Sequence, residues 1–140
     1  MDILKINTTK RALGDFGEDE AIKLLRRTGY RILERNYVAN EHEVDIIAED
    51  RDTIAFIEVK TRDIDKLDPR EARPAAAVTP KKQRSIIAAV KAYIAYHIPK
   101  KHVRLDIIEV YTKAENGKTK LVEIKHLKGA FDQNSAYGRR

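Results

Sequence analysis

A chain of 140 residues has room for one domain, and 42% hydrophobic with 36% charged residues gives it a core beneath a heavily solvated surface. The absence of cysteine excludes a disulfide framework, thiolate metal sites and a cysteine nucleophile. A net charge of +6 and an isoelectric point near 9.5 favour a polyanionic partner. The charge is uneven: residues 1–70 carry 13 basic and 16 acidic side chains, whereas residues 71–140 carry 15 and 6. An acidic cluster and a basic face must therefore share one small domain. Met1 to Thr9 contain no apolar stretch of signal-peptide length, and the longest aliphatic run, Ile86 to Val90, is too short to span a bilayer. The expectation is a cytoplasmic protein with no membrane partner.

Along the chain, residues 1–9 read as an N-terminal tail, 10–131 as the domain and 132–140 as a loose polar tail. Polar residues around Thr8 and Thr9 lead into a helix whose stripe is Leu13, Gly17, Ala21, Leu24, Leu25 and Thr28, with Gly29 as its stop. Gly14 and Gly17 weaken that helix by about 1 kcal/mol each relative to Ala, which predicts a close backbone approach at both. Tyr30–Val38, Glu43–Glu49 and Thr53–Arg62 read as an antiparallel meander with short turns. Residues 63–78, with Pro69, Pro74 and many charges, read as a long surface loop. Thr79-Pro80 opens a second helix as N-cap and first helical residue, and this helix ends before Pro99. Val103–Tyr111 and Leu121–Leu127 are strands joined through the hairpin signal Asn116-Gly117. A helical crossover from strand three to strand four makes those two parallel and right-handed. The fold expected is α/β, a mixed five-stranded sheet flanked by helices in the order helix, three strands, helix, two strands.

The informative stretch is His42-Glu43-Val44-Asp45-Ile46-Ile47 together with Phe56-Ile57-Glu58-Val59-Lys60. Period two puts Glu43 with Asp45 on one strand face and Glu58 with Lys60 on another. An even turn at Arg51-Asp52 sets Asp45 opposite Glu58 and Glu43 opposite Lys60, with Cβ atoms about 4.5 to 5.5 Å apart. Three carboxylates beside apolar flanks are costly without a positive charge, and an oxygen-only donor set points to Mg2+ (or Mn2+). Lys60 would then orient the nucleophile or stabilise developing negative charge. A lone Glu-x-Lys is ordinarily a solvated ion-pairing strand face, and Glu123-Ile124-Lys125 supplies that comparison. Pairing across Asn116-Gly117 sets Val110 opposite Glu123 and Ile108 opposite Lys125, so no carboxylate is expected to face the second copy.

The combination of a Gly-rich helix bearing Glu18, Glu43-Val44-Asp45, Phe56-Ile57-Glu58-Val59-Lys60-Thr61-Arg62, Lys82-Gln83 and Ala130-Phe131 resembles the small bacterial YraN-like proteins. Those belong to the PD-(D/E)XK, restriction endonuclease-like nuclease superfamily and are similar to archaeal Holliday junction resolvases. The resemblance runs from about Lys10 to Phe131. It implies that Asp45 and Glu58 are metal ligands; from its place on the strand, Glu43 is a third candidate metal ligand, a partner of the ligands or the cross-strand mate of Lys60. The resemblance further implies that Lys60 is the catalytic lysine, Glu18 a helix-borne auxiliary carboxylate and Gln83 the polar residue of the second helix. Two positions depart from the family pattern: His42 stands where Gly is usual, and the segment after Arg62 is unusually acidic.

Lys81, Lys82 and Arg84 in the first turn of helix two, with Arg62, are the candidate phosphate contacts, since free amides and the helix dipole also favour anions there. Asp106, mid-strand among apolar residues, is expected to pair with Arg104. His42, His97, His102 and His126 lack metal-ligand spacing, and Ser85 and Ser135 lack a triad setting. The resulting expectation is a metal-dependent endonuclease acting on DNA, possible branched substrates included, with a homodimer suited to a four-way junction. The alternatives are a catalytically silent nucleic-acid-binding module of the same fold, and a ribosome- or RNA-associated basic protein whose carboxylates only pair with lysines.

Overall fold

The computed structural model describes residues 3–67 and 78–138, with side chains from Lys10 onward. Helix α1 spans Ile3–Arg27, followed by strands β1 (Arg31–Ala39), β2 (His42–Glu49) and β3 (Thr53–Asp63). Helix α2 (Pro80–His97), strands β4 (His102–Glu115) and β5 (Lys118–Leu127) and a short helix α3 (Gln133–Tyr137) complete the chain. The five strands form one sheet in sequence order. All neighbours are antiparallel except β3 and β4, which run parallel from Thr53 beside His102 to Asp63 beside Thr112. The element order and mixed sheet are those expected from the sequence.

Each sheet face has its own core, as a parallel pair covered on both sides requires. On one face Phe56, Val44, Ile47 and Ile107 pack with Ile86, Ile87, Val90 and Tyr93 of α2. On the other, Ile57, Ile46, Ala55, Ile108 and Val110 pack with Ala21, Ile22 and Leu25 of α1. Adjacent Phe56 and Ile57 thus feed opposite cores, the strand alternation at work. Thr79 caps α2, its hydroxyl accepting from the Lys82 amide at 3.2 Å, with Pro80 at the first helical position. Asn116 and Gly117 both have positive φ, 53° and 75°, the geometry of a two-residue type I′ hairpin.

Four boundaries differ from expectation. Helix α1 begins at Ile3, before the Thr8-Thr9 start, because no Gly or Pro interrupts residues 3–12. The supposed C-terminal tail contains α3, nucleated by a reciprocal capping box between Asp132 and Ser135 and anchored by buried Ala136. The β4–β5 ribbon extends to Glu115 and Lys118, its end carried by charged side chains in solvent. Of the expected loop 63–78, Asp63 ends β3 and caps a 3-10 turn at Ile64–Lys66, Val78 is buried, and residues 68–77, with both prolines, lie outside the described residues.

Gly17 and Gly14 part company. A Cβ on Gly17 would lie 1.8 Å from Thr61 Oγ1 and 2.9 Å from its Cβ, so α1 approaches β3 there as closely as expected. A Cβ on Gly14 would meet nothing within 4 Å among the described residues, so the close approach expected there is absent.

Candidate active site

Strands β2 and β3 pair only from Glu49 beside Ile54 to Ile46 beside Ile57. Beyond that point β2 stays with β1, Val44 beside Tyr37 and Glu43 beside Val38, while β3 stays with β4, Glu58 beside Ile107 and Lys60 beside Glu109. The sheet therefore splits at the Asp45–Glu58 level. Asp45 Oδ2 accepts the Val59 amide at 2.8 Å, a side chain taking the place a backbone carbonyl would have in a continued ladder.

A cavity of about 410 Å3 opens at the split. Its walls come from Lys10, Gly14 and Glu18 of α1, Asp45 of β2, Glu58 and Lys60 of β3 and Lys82 of α2. The register expected from the sequence holds, and it brings Asp45 and Glu58 together. Glu58 is the deeper carboxyl, only 3% exposed. Burial, then the negative charge of Asp45, pushes its pKa up to about 8, against the opposing pull of Lys82 and Lys60. Lys60 Nζ stands 3.7 Å and Lys82 Nζ 3.8 Å from Glu58 Oε2. Without a further cation, burial and the Asp45 charge favour the protonated form of Glu58.

Glu43 does not reach Lys60, because the split carries it away. With the Asn36 amide turned so that its nitrogen faces acceptors, it donates to Glu43 Oε1 at 3.0 Å and to Glu18 Oε1 at 3.1 Å. Arg35 donates to Glu18 at 3.3 Å and pairs with Asp19 at 2.9 Å. The Glu18 carboxyl titrates above its ordinary range through burial first and the charges of Asp45 and Glu43 next, with Arg35 opposing. Asn36 and Arg35 carry no signal in the motif spacing. Asn36 is marked only by its positive φ of 54°, a backbone state that Asn tolerates.

The second helix contributes Lys82 to the cavity, and Gln83 turns the other way. Gln83 is buried, donating to the Val78 carbonyl at 2.9 Å and accepting from Ser135 at 2.7 Å, so it ties α2 to α3. Arg84 donates to the Ala136 carbonyl at 2.8 Å and lies over the Tyr137 ring, which also fastens α3. Lys81 is exposed in the first turn of α2, and Arg62 stands near the end of β3 beside Tyr111. His42 Nδ1 lies 2.9 Å from Ser85 Oγ and so joins β2 to α2.

Asp106 pairs with Arg104 as expected, and also receives His126 at 2.8 Å and the Gly129 amide at 2.9 Å. Burial would raise its pKa, but those three donors hold it below the ordinary carboxylate range. The comparison motif differs from expectation. A register shift between Tyr111 and Thr112 sets Glu123 beside Tyr111 and Lys125 beside Glu109, so a carboxylate does face it. Glu109 is fully buried and accepts from Tyr111 Oη at 2.9 Å.

Among the described residues no group of three or more His, Asp or Glu side chains converges tightly enough to hold one ion. The pair Asp45 and Glu58 is what a cation would use. Its chemistry fits Mg2+ or Mn2+: hard oxygen donors, two carboxyls only, an open side for water and substrate, and a buried proton that a cation would displace. No helix among the described residues is long and apolar enough to cross a membrane.

Comparison with known proteins places these residues in a family. Residues 17–110, which include Glu18, Asp45, Glu58, Lys60 and Lys82, match the uncharacterised protein family UPF0102. A UPF0102 protein of Chlorobium phaeobacteroides (strain BS1) is 43% identical over 121 residues, covering 85% of this chain and 93% of that protein. Relatives in Caldicellulosiruptor saccharolyticus (38% over 123 residues, 87% and 98% covered) and Clostridium perfringens strain SM101 (39% over 124 residues, 86% and 94% covered) match as fully. The chain belongs to the UPF0102 family, that of the YraN-like proteins its motifs resemble.

Proposed function

We propose that this protein is a metal-dependent endonuclease that hydrolyses phosphodiester bonds in DNA, with structured or branched DNA as its substrate class. The observation that carries the reading is the Asp45–Glu58 carboxyl pair where β2 leaves β3, with Asp45 half-buried, Glu58 buried, and Lys60 and Lys82 within 4 Å of Glu58. Opposed carboxyls and ammonium groups at the base of an open cavity are what phosphodiester hydrolysis needs, and an ordinary strand surface does not bury them. The basic half of the chain and the resemblance to the PD-(D/E)XK nucleases support the same reading.

Asp45 and Glu58 are the residues that would hold Mg2+ or Mn2+, which when bound supplies an acidified water and neutralises charge on the phosphate. Lys60 orients the nucleophile or stabilises charge developing on the scissile phosphate. Lys82, set by the first turn of α2, holds a non-bridging phosphate oxygen, and the free amides of that turn favour the same anion. Glu18, braced by Arg35 and Asn36, lies near enough to Asp45 for that charge to help raise the Glu18 pKa. A homodimer would present two such sites to the related strands of a four-way junction.

The test is a cleavage screen of the full chain over linear, flapped and four-way DNA in Mg2+ or Mn2+. Strand scission by the wild type is expected, with Glu58→Ala losing it while keeping salt-sensitive binding. Divalent cation should raise the melting temperature, and Asp45→Asn should abolish that rise. Binding without cutting would turn the reading to the silent module. No cation-dependent rise and no cutting would make the carboxyls structural.

A further inference from the structure

The two glycines of α1 have different reasons to be there, and the difference points to a ligand. Gly17 is required by the protein itself, since any Cβ would strike Thr61. Gly14 is not: its φ is not positive, it lies eleven residues into a helix, and a Cβ would meet nothing within 4 Å among the described residues. Glycine is the poorest helix-interior residue after proline, so alanine would make a better helix here. The bare position nonetheless lines the cavity that holds Asp45 and Glu58.

Lys10, Gly14 and Glu18 follow one another at i, i+4 and i+8, so they share one face of α1, and all three line that cavity. Each step along the face is about 6 Å, on the scale of one nucleotide. The carboxylate end of this row is Glu18, and the cationic end is Lys10, an exposed side chain.

We propose that this face of α1 is a strand-binding subsite. The sugar-phosphate backbone of one DNA strand leaves the Asp45–Glu58 pair, lies against α1 at Gly14, where nothing among the described residues covers the helix, and places its next phosphate on Lys10. The absent Cβ is the space the strand fills. The contact is to the backbone of one strand, so it is available to an unpaired strand at a flap or junction arm. This inference rests on the nuclease reading of the same cavity and adds to it a strand contact at Gly14 and Lys10.

The experiment measures binding of a short single-stranded thymidine oligonucleotide by fluorescence anisotropy, with Ca2+ replacing Mg2+, alongside thermal melting. Gly14→Ala and Gly14→Leu should both melt higher than the wild type, because both are better helix formers. Both should nevertheless bind the oligonucleotide more weakly, severalfold for alanine and by an order of magnitude or more for leucine. Lys10→Ala should lower the slope of log affinity against log salt by about 0.7, the loss of one phosphate contact on a single strand. Variants that melt higher and bind as the wild type does would overturn the subsite while leaving the carboxyl pair's role intact. A wild type that binds no oligonucleotide in any salt would also overturn the subsite, while the nuclease reading stands or falls on the cleavage screen.

Discussion

Glu58-Val59-Lys60 in β3 and Glu123-Ile124-Lys125 in β5 share their spacing and almost the same Lys–Glu separation, 3.7 and 3.8 Å. Their surroundings differ in burial and in strand pairing. The Glu58 side chain is 4% exposed and the Glu123 side chain 56%. Strand β3 is central, flanked on its two faces by α1 and α2, whereas β5 is a sheet edge. Where β3 loses its antiparallel neighbour, Asp45 moves in beside Glu58. β5 keeps its ladder with β4, and its carboxylate stays in water. A sequence motif of charge thus acquires chemistry from the strand that leaves it, since exposed ion pairs contribute little and buried carboxyls demand a partner.

The largest expected separation between the two motifs is in cleavage. Glu58→Ala or Lys60→Ala should reduce strand scission by about 100-fold or more, the scale of losing a metal ligand or a charge-stabilising group. Glu123→Ala should cut at the wild-type rate; a matching loss there would erase the distinction between the motifs.

Next in size is the pH dependence of stability. Folded Glu58 keeps its proton up to about pH 8, whereas the unfolded residue releases it near 4.5. The folded state therefore binds more protons between those values, and the stability contribution falls as pH rises through that window, levelling above it. Glu58→Gln, which stays neutral, should gain on the wild type across the same window in urea denaturation. Divalent cation acts in the opposite sense, since it displaces the proton, so its stabilising effect should grow from pH 6 to pH 8.5. A flat difference between wild type and Glu58→Gln would mean that the carboxyl is not desolvated as described.

Gly17→Ala should destabilise by about 1–3 kcal/mol, because the new methyl overlaps the stiff β-branched Thr61 one residue past the β3 motif. Thr61→Ala in the same chain should recover part of that loss; no recovery would place the cost elsewhere. The smallest effect belongs to β5: Glu123→Ala should shift stability by no more than about 0.5 kcal/mol, measured by the same denaturation.

Much of this was legible because it is local. Thr79-Pro80 and Asn116-Gly117 specify a helix start and a hairpin through hydroxyl acceptance, fixed proline φ and tolerance of positive φ, and both appear where the residues imply. The β2–β3 register followed from an even turn, and it delivered Asp45 to Glu58. What spacing did not disclose was where a ladder stops. Asp45 competes with a backbone carbonyl for the Val59 amide, and the strand that separates takes Glu43 to Asn36. One residue of bulge at Tyr111 likewise moved Lys125 from Ile108 to Glu109. On α2, one step of about 100° in helix phase decides that Lys82 faces the cavity and Gln83 faces α3.

By itself the sequence determined the order of elements, the mixed sheet, the turn that sets the register and the two carboxyls that the register joins, because alternation and turn chemistry act within a few residues. Tertiary structure decided which Glu-x-Lys is buried, which residue of Lys82-Gln83 meets the carboxyls, and which of two glycines is needed for packing. Those outcomes depend on helices α1 and α2 closing over opposite faces of one strand, and desolvation is a property of the assembled layers that no single segment carries.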